Sequence, residues 1–521
     1  MSHDEESPKS SRNWLQRLLD RAKGDVVIAQ VGPDARNVVI GTRNVQINIG
    51  GRNLTVPVLL VPLLLLVVIG ILLYPTVIKP RYFPERMDST FNIAVAEIGQ
   101  LSADGRVHPF AFGRRVSQAI GSALCRQYSE FGQLFADENA DLLIWSNREQ
   151  LCPKPQGKLA HIGVIYGRTA KERRQNAEAL RARINADMLI YGYVRGEDNA
   201  ETPESIDLQF VYSSRNLNSE FDLIVGDHTV GGSLPLPIPY QADAVLALNK
   251  VSNPLGKRST ALFWIATGLV QELIDELGRS ERFLKAAATE LANEQPDAGQ
   301  SILYFLLGRV SLYQEKTDQA LAYFQQAVDA NPDYTRARIA LGSAYLQKAR
   351  ALSHVERRNQ PEVLEQAVHN HEIGLNMALA QGDAFLEALG RLALAKSYRL
   401  VGTTDAQFAE YDAAEGYFLK AMEQLESATV SLEAEQQYRL LAQAYEARGA
   451  IFQQQAQILR NQQRIAESRQ RFEEAKAAYN QCVDQGARDP YNLVLKEQII
   501  EQFCRPNIVH IDELLQELAG G

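Results

Sequence analysis

Cysteine is scarce in this chain, and so is any excess of positive charge. Four cysteines among 521 residues are too few for a disulfide-framework fold, and they form no CxxC pair of the kind structural zinc sites use. Lysine and arginine number 54 against 63 acidic residues, so the basic excess that nucleic-acid binding needs is missing. The sequence therefore predicts no metal, no cofactor and no nucleic-acid partner.

Motifs that mark common enzyme sites are also missing. Neither GxGxxG nor GxxxxGK[ST] follows an apolar run, and GxSxG does not occur. His108, His161 and His228 stand far apart without a nucleophile at a recognisable spacing, which favours structural roles for them. We therefore expect a protein that is not an enzyme.

The longest apolar stretch predicts a single transmembrane helix. With 45% hydrophobic and 22% charged residues, the chain is long enough for several folded units. Residues 54–78, with Leu54 and Ile78 as limits, contain no formal charge, and about 20 helical residues cross a bilayer. The long segment before this stretch argues against a cleaved signal peptide.

Charges around this stretch bear on its orientation. The basic residues closest to the membrane are equal in number on the two sides, namely Arg36, Arg43 and Arg52 before it and Lys79, Arg81 and Arg86 after it. Residues 1–24 add further lysine and arginine in the pattern of a basic amphipathic helix, either on a membrane surface or as an ordinary surface helix. These extra charges favour a cytoplasmic N-terminus and extracytoplasmic residues 79–521.

Residues 25–53 alternate valine and isoleucine between glycines, which predicts short β-strands. A seven-residue unit recurs there, at Arg36, Asn37, Val38, Ile40, Arg43, Asn44, Val45 and Ile47. Strands with asparagine at equivalent places predict asparagine ladders and self-association by strand addition. The segment resembles short Gly/Val/Ile-rich tails of bacterial conflict and signalling proteins, some of which act as amyloid-like adaptors. A small hairpin or juxtamembrane spacer is the alternative.

After a linker at 79–90, residues 91–255 predict an α/β domain with a mixed sheet. Strand patterns such as FNIAVAEIG (91–99) and DMLIYGYVRG (187–196) alternate with helical stretches near 110–131 and 169–186. The first pattern and INADMLIYGYV resemble the small N-terminal domain of TolB-type periplasmic proteins, and uncharacterised bacterial proteins that combine such a domain with a β tail, an anchor and helical repeats. Cys125 and Cys152 are predicted either to bond in an oxidising compartment or to stay buried thiols.

Residues 259–521 are rich in alanine, leucine, glutamine and glutamate, which predicts helices. Small and large residues recur there at Leu307, Gly308, Ala320, Phe324, Ala327, Pro332, Leu341, Gly342 and Tyr345. This pattern resembles tetratricopeptide (TPR) repeats over 301–346 and fades afterwards. The resemblance implies an α-solenoid of stacked helix pairs with a concave groove that holds a peptide or protein.

Other side chains of the repeat region are given structural roles. Arg336, Arg338, Arg391 and Arg399 do not match the TPR clamp for C-terminal carboxylates and are predicted to be solvated. His369 and His371 are two residues apart, whereas a helical zinc pair needs positions i and i+4. Cys482 is expected to be a buried structural thiol rather than a reactive one.

The fold class predicted is thus α/β plus all-α, with one transmembrane helix. The function predicted is a single-pass membrane receptor or scaffold that binds a protein partner through the repeats and the α/β domain, in bacterial signalling or defence. The tail would recruit other proteins or self-assemble. The alternative is an envelope-complex assembly factor with the tail as a passive tether, and an enzyme with an unrecognised α/β site comes last.

Overall fold

The computed structural model describes the chain in thirteen stretches that fall into two compact units, Met1–Glu85 and Arg86–Gly521. The described residues are 27–29, 35–40, 44–49, 52–57, 86–131, 141–147, 150–152, 162–195, 204–213, 222–237, 243–292, 299–488 and 495–520. The predicted amphipathic helix at 1–24 and the linker up to residue 85 lie outside them.

The first unit contains an antiparallel sheet whose strands pair in chain order. Its strands are β1 (Val27–Ala29), β2 (Ala35–Ile40), β3 (Asn44–Ile49) and β4 (Arg52–Pro57). The register pairs Asn37 with Asn48 and Asn48 with Asn53, while Asn44 pairs with Pro57. Because neighbouring strands run in opposite directions, the asparagines at equivalent repeat positions do not form one row. Arg43 lies outside the described residues.

Strand β4 corrects the predicted start of the membrane helix. Leu54 to Pro57 belong to this strand, and Leu54 pairs with Ile47. Thr55 and Val56 are β-branched, and Pro57 is tolerated because it ends an edge strand. A helix therefore does not begin at Leu54, and residues 58–78 lie outside the described residues. Among the residues described, no helix combines the length and the apolar character needed to cross a membrane.

The second unit begins with the predicted mixed sheet, which is confirmed. Its main path follows the order β12-β11-β10-β5-β8-β9, with β10, β5 and β8 parallel and β10 to β12 antiparallel. The strands are β5 (Phe91–Val95), β6 (Gly99–Leu101), β7 (Val107–His108), β8 (Leu142–Asn147), β9 (Gln150–Cys152), β10 (Met188–Arg195), β11 (Ser205–Tyr212), β12 (Gly226–Thr229) and β13 (Leu234–Pro235). Strand β5 is buried throughout, as expected for a parallel strand inside a sheet. Two helices belong to this part, α1 (Ala111–Phe131) and α2 (Ala170–Ile184), and a 3₁₀ turn at Asp222–Ile224 precedes β12.

A stack of helix pairs follows. The predicted TPR-like array is confirmed as a succession of paired helices. The pairs are α3 (Ala244–Leu273) with α4 (Leu277–Leu291), α5 (Gln300–Tyr313) with α6 (Thr317–Ala330), α7 (Thr335–Ala351) with α9 (Pro361–Gln381), α10 (Ala384–Gln407) with α11 (Tyr411–Ala434), and α12 (Tyr438–Asn461) with α13 (Ile465–Arg488). A short helix, α8 (His354–Asn359), is inserted before α9, and a π-helix (Leu495–Cys504) and α14 (Arg505–Gly520) end the array. Helix α3 runs without a break through residues 255 and 259, so the predicted division between the two domains falls inside one helix and stays a prediction.

Glycines on the first helix of a pair allow the second helix to come close. A Cβ atom at Gly308 would lie 2.7 Å from the Phe324 ring, and one at Gly402 would lie 2.8 Å from the Phe418 ring. The number of residues between Gly308 and Phe324 is the same as that between Gly402 and Phe418. Small residues at such crossings let helix axes approach within about 8–10 Å.

All four cysteines form disulfide bonds. Cys125 of α1 bonds to Cys152 of β9, with Cα atoms 5.8 Å apart, and Cys482 of α13 bonds to Cys504 of the π-helix, with Cα atoms 6.4 Å apart. Both separations fall within the roughly 4.4–6.8 Å that a disulfide spans. The sequence left open whether Cys125 and Cys152 form a disulfide or stay buried thiols, and the structure has them bonded. The prediction that Cys482 is a buried structural thiol is wrong, because the chain folds back and brings Cys504 beside it.

Candidate functional site

The helix stack contains a cavity of about 440 Å³. The first helices of successive pairs line it, and Leu223 of the 3₁₀ turn forms part of its wall. Its apolar lining residues are Leu223, Leu312, Ile339, Leu346, Leu389, Leu392 and Ala393. Its polar lining residues are Tyr313, Glu315, Ser343, Gln347, Arg350, Lys396, Gln443 and Gln498. We call this space the groove cavity; apolar surface with a few polar groups is typical of binding sites.

Two basic side chains line the groove cavity. Arg350 of α7 is exposed, and Lys396 of α10 is half-buried and donates a hydrogen bond to Oε1 of Gln443 at 2.9 Å. Among the described residues that line the cavity, Glu315 is acidic.

A buried histidine connects three helices beneath the groove cavity. Nδ1 of His371 lies 2.9 Å from Oγ of Ser397, and its Nε2 lies 3.2 Å from Oγ of Ser343. A Cβ atom at Gly342 would lie 2.5 Å from the His371 ring, so glycine is needed for this approach. The imidazole thus joins α9 to α7 on one side and to α10 on the other.

Burial lowers the pKa of His371 to about 3, so the ring is neutral at physiological pH. A hydrogen bond with the backbone of Ile339 opposes this shift, and the charges of Arg350 and Lys396 add to it. His369, by contrast, lines a second cavity on another part of the array. The two histidines therefore face different surroundings and cannot share a ligand.

The α/β domain packs against α7 beside the groove cavity. Nη1 of Arg336 in α7 donates a hydrogen bond to the carbonyl oxygen of Leu223 at 2.8 Å. Nδ1 of His228 in β12 lies 3.1 Å from the hydroxyl of Tyr334, and its Nε2 lies 2.6 Å from the carbonyl oxygen of Ile224. We call these contacts the junction. The prediction that Arg336 is a solvated charge is wrong, since only 4% of it is exposed.

Ion pairs and carboxylates surround the junction. Nη1 of Arg174 in α2 lies 2.7 Å from Oδ2 of Asp383, whose Oδ1 caps α10 by accepting from the backbone N–H of Leu386. The hydroxyl of Tyr191 donates to Asp227 at 2.7 Å. Burial raises the pKa of Asp227, against the opposing effects of the Tyr191 hydrogen bond and of nearby arginines. The ion pair between Arg174 and Asp383 thus ties the α/β domain to the helix stack.

Close packing at the junction requires glycine beside Arg336. A Cβ atom at Gly226 would lie 2.5 Å from Nη2 of Arg336, and the φ angle of Gly226 is 111°. Both the space and the backbone conformation exclude a larger residue. His228, two residues after Gly226 on the same strand, is buried, and burial together with the charge of Arg336 lowers its pKa to about 3.

A second cavity, of about 340 Å³, lies near the inserted helix α8. Its charged side chains interact with one another: Arg358 pairs with Glu410 and lies 3.6 Å from Asp405. Nε of Arg357 donates to Oγ1 of Thr404 at 3.2 Å. These contacts engage both arginines of the lining. The groove cavity is larger and is lined by the first helices of several pairs, so we take it as the candidate binding site.

The TPR packing residues identified in the sequence build the stack rather than line the groove cavity. Buried among them are Leu307, Gly308, Ala320, Phe324, Ala327, Leu341 and Gly342, while Tyr345 is half-buried. Pro332 is exposed in the turn after α6. Of the tail positions, Arg36, Asn37, Val38 and Ile40 lie in β2, and Asn44, Val45 and Ile47 lie in β3.

Sequence reasoning did not identify Leu223, Arg350 or Lys396 as site residues. Arg350 follows Leu346 by four positions on α7, and Lys396 follows Leu392 by four positions on α10, so each cation lies one turn from an apolar lining residue. This spacing is a signal that the sequence contains. Leu223 carries no such signal, because only the docking of the α/β domain places it at the groove.

Comparison with known proteins gives limited similarity. No protein-family model matches the sequence, and no curated protein matches it. Among solved structures, the chain is similar to TTC0263, a thermophilic TPR protein of Thermus thermophilus, with 17% identity, 46% of this chain and 97% of that chain covered, and a TM-score of 0.30. It is also similar to the apo form of RapI, with 14% identity, 53% and 81% covered, and a TM-score of 0.25. The TPR-like description therefore depends on the helix-pair packing within the chain itself.

Proposed function

We propose that this protein is a membrane-anchored scaffold or receptor that binds a segment of a protein partner in its groove cavity. The observation that carries this proposal is the cavity lined by apolar residues from several successive helices and by polar residues beside them. Stacked helix pairs use such concave surfaces for binding. Its lining supplies apolar area for affinity and polar groups for orientation.

The α/β domain takes part in this binding surface. The hydrogen bond from Arg336 to Leu223 and the ion pair between Arg174 and Asp383 fix the domain at one end of the groove. Leu223 then contributes to the cavity wall. The receptor surface is in this way shared between the sheet domain and the helical array.

The disulfide bonds support an extracytoplasmic location for the second unit. Disulfides persist in oxidising compartments and are rare in reducing ones. With the apolar residues up to Ile78 as the anchor, the N-terminal tail would then be cytoplasmic. We propose further that this tail recruits other proteins or self-assembles in bacterial signalling or defence, through the edge strands β1 and β4 of its antiparallel sheet. A passive tether in an envelope-complex assembly factor is the alternative.

Site-specific photo-crosslinking tests the groove as the binding surface. A photoreactive residue at Gln347, which lines the groove cavity, is expected to give discrete adducts with a partner in cells that produce the full chain. The matched control is Gln470, which is exposed on α13 and does not line the cavity. Adducts of equal yield at both positions, or none at Gln347, would contradict the proposal.

A tail variant separates recruitment from tethering. Aspartate at Val38, Ile40, Val45 and Ile47 opposes strand pairing, because like charges then face one another across β2 and β3. If the tail recruits, the variant loses downstream association but keeps the crosslinks from Gln347. If the tail is a passive tether, both readouts stay unchanged.

A further inference from the structure

Helix α2 has an exposed side that carries positive charge. Lys171 and Arg183 lie on this side, Arg168 lies just before the helix, and all three side chains are exposed. None of the three forms an ion pair with a carboxylate among the residues that the structure describes. Glu172 is also exposed there, and its carboxylate accepts a hydrogen bond from the backbone N–H of Arg168 at 2.8 Å. The exposed side of α2 therefore has an excess of cations.

The remaining sides of α2 are occupied by other parts of the molecule. Ala177 and Ile184 are buried and pack against the sheet. Arg174 forms its ion pair with Asp383 of the helix stack. We call the exposed side the α2 face, and its residues are Arg168, Lys171, Gln175, Ala179, Ala182 and Arg183.

The chain enters the second unit at the C-terminal end of α2. The backbone N–H of Met87 donates to the carbonyl oxygen of Ile184 at 2.8 Å, and the side-chain amide of Asn185 donates to the carbonyl oxygen of Met87 at 2.6 Å. Arg86 is the first described residue of this unit, eight positions after Ile78, the end of the proposed anchor. Eight residues span at most about 29 Å when fully extended. The length of the chain therefore keeps the end of α2 within reach of the bilayer surface.

We propose that the α2 face lies on the anionic phospholipid surface of the bilayer that holds the anchor. Arg168, Lys171 and Arg183 interact with the phosphate groups of the lipids. This inference rests on the membrane anchor of the proposed function and adds a second, electrostatic contact with the membrane. Since Arg174 ties α2 to the helix stack, this contact also fixes how the groove cavity is oriented above the membrane.

Charge and tethering together favour a lipid surface as the occupant. A basic residue close to an anionic leaflet strengthens binding by about fivefold, so three of them bind weakly on their own. The anchor supplies the high local concentration that makes such weak contacts effective. A nucleic acid or an acidic protein would have to bind through the same three cations without this advantage.

Uncharged residues at the α2 face also suit a lipid surface. Ala179 and Ala182 are exposed on the helix between Lys171 and Arg183, and their small side chains let the helix approach a flat surface closely. Tyr166, two residues before Arg168, is 57% exposed. Tyrosine is enriched at membrane interfaces, where its ring and hydroxyl both find suitable surroundings.

Photo-crosslinking to lipid tests the inference. The full chain is reconstituted in nanodiscs of phosphatidylcholine alone, or of phosphatidylcholine mixed with the anionic lipid phosphatidylglycerol. A photoreactive residue replaces Gln175 of the α2 face or, as a control, Gln470, which is exposed on α13. We expect lipid adducts at Gln175 in at least about fivefold higher yield in the anionic discs than in the neutral ones. At Gln470 we expect no adducts above background in either kind of disc.

Charge reversal and salt show whether the contact is electrostatic. The triple variant Arg168→Glu, Lys171→Glu, Arg183→Glu should reduce the yield of adducts at Gln175 in anionic discs to that in neutral discs. Circular dichroism of this variant checks that its fold is retained. High salt should also lower the yield for the native charges, because it screens exposed ionic contacts, and this measurement requires none of the charge reversals.

The matched control reverses three exposed cations outside the α2 face, at Lys250, Arg282 and Lys496. Its net charge changes by the same amount as that of the triple variant. The yield of lipid adducts at Gln175 should stay at the native level in this control. A loss as large as that in the triple variant would show that only the net charge matters and would overturn the inference.

The remaining outcomes separate this inference from the proposed function. If the chain enters the discs but Gln175 gives no lipid adducts, or gives equal yields in neutral and anionic discs, the lipid contact is wrong and the anchor stands. Adducts of Gln175 with protein or nucleic acid instead of lipid in intact cells would likewise replace the lipid as occupant. If the chain stays soluble without detergent and does not enter the discs, the membrane anchor of the proposed function is itself overturned.

Discussion

Arg336 of the helical array donates a hydrogen bond to the carbonyl oxygen of Leu223 in the α/β domain, across 2.8 Å. Both residues are buried, at 4% and 3% exposure, so water cannot replace either partner. This contact connects α7 of the stack to the turn that forms part of the wall of the groove cavity. The relative position of the two parts therefore decides the shape of the site.

Removal of this hydrogen bond should loosen the junction. Arg336→Met leaves the buried carbonyl of Leu223 without its donor, which costs about 1–3 kcal/mol of unfolding free energy. Hydrogen exchange of the full chain should show faster exchange in Gly226–Thr229 than in the native protein. Arg282→Met, at an exposed position, is the control and should change neither quantity. Unchanged exchange in β12 of the Arg336 variant would contradict the assigned contact.

The buried ion pair between Glu272 and Arg309 predicts a non-additive effect. Nη2 of Arg309 lies 3.0 Å from Oε2 of Glu272, and its Nε donates to the hydroxyl of Tyr313. Burial disfavours the charge of Arg309, but Glu272 overcomes this and raises its pKa above the ordinary value. Glu272→Leu leaves an unpaired buried cation and should cost about 3–5 kcal/mol.

The double variant Glu272→Leu, Arg309→Met should cost clearly less than the sum of the two single changes, because it removes both charges. Denaturant unfolding of all four proteins gives the double-mutant cycle. Additive losses would show that the two side chains do not interact.

Buried histidines predict a loss of stability in acid. Burial lowers the pKa of His228 and of His371 from 6.5 to about 3 in the folded chain. In the unfolded chain both histidines take up protons near pH 6.5, whereas in the folded chain they stay neutral. The free energy of unfolding therefore has its full value above pH 6.5 and falls as the pH drops from 6.5 towards 3. Each histidine contributes about 1.4 kcal/mol per pH unit in this window.

Urea unfolding between pH 7 and pH 4 measures this dependence. His371→Gln removes one titrating group and should give a shallower loss with falling pH, even if its stability at pH 7 is lower. His510→Gln, at an exposed position on α14, is the control and should keep the slope of the native chain. A slope that is the same in all three proteins would contradict the assignment.

The helix crossing at Gly308 predicts opposite effects of the same substitution at two sites. Gly308→Ala forces a Cβ atom to 2.7 Å from the Phe324 ring and should destabilise the chain by about 1–3 kcal/mol. Gly416→Ala in α11 meets no atom within 4 Å and should stabilise by up to about 1 kcal/mol, since alanine favours helix. Thermal unfolding of both variants checks the signs. Equal shifts in the melting temperature of the two variants would show that α5 and α6 do not pack closely at Gly308.

Sequence patterns predicted those features that depend on local periodicity. Leucine and alanine at helical spacing, with Gly308 and Phe324 at one interval, are sufficient to indicate paired helices. The apolar strand FNIAV at Phe91–Val95 likewise indicates a buried strand. Such features are set by neighbours along the same element and its adjacent partner.

Features that depend on long-range docking were missed. Leu223 becomes a wall of the groove cavity only because the sheet domain packs against α7. Cys504 reaches Cys482 only because the π-helix returns to α13. At Leu54, pairing with β3 outweighs the apolar composition that favoured a membrane helix. No periodic pattern within the segment reports any of these contacts.

The bond between Cys482 and Cys504 predicts that oxidation secures the end of the array that carries Gln498, a residue of the groove cavity. It closes a sequence separation of 22 residues, and a loop of that size is stabilised by about 3 kcal/mol when cross-linked. The variant Cys482→Ser, Cys504→Ser should lose about this much stability under oxidising conditions. Reduction should destabilise the native chain but should affect this variant only through the remaining bond between Cys125 and Cys152. Mass spectrometry of unreduced peptides from protein isolated with its thiols blocked checks the pairing, and free thiols at all four positions would contradict both the bonds and the oxidising compartment.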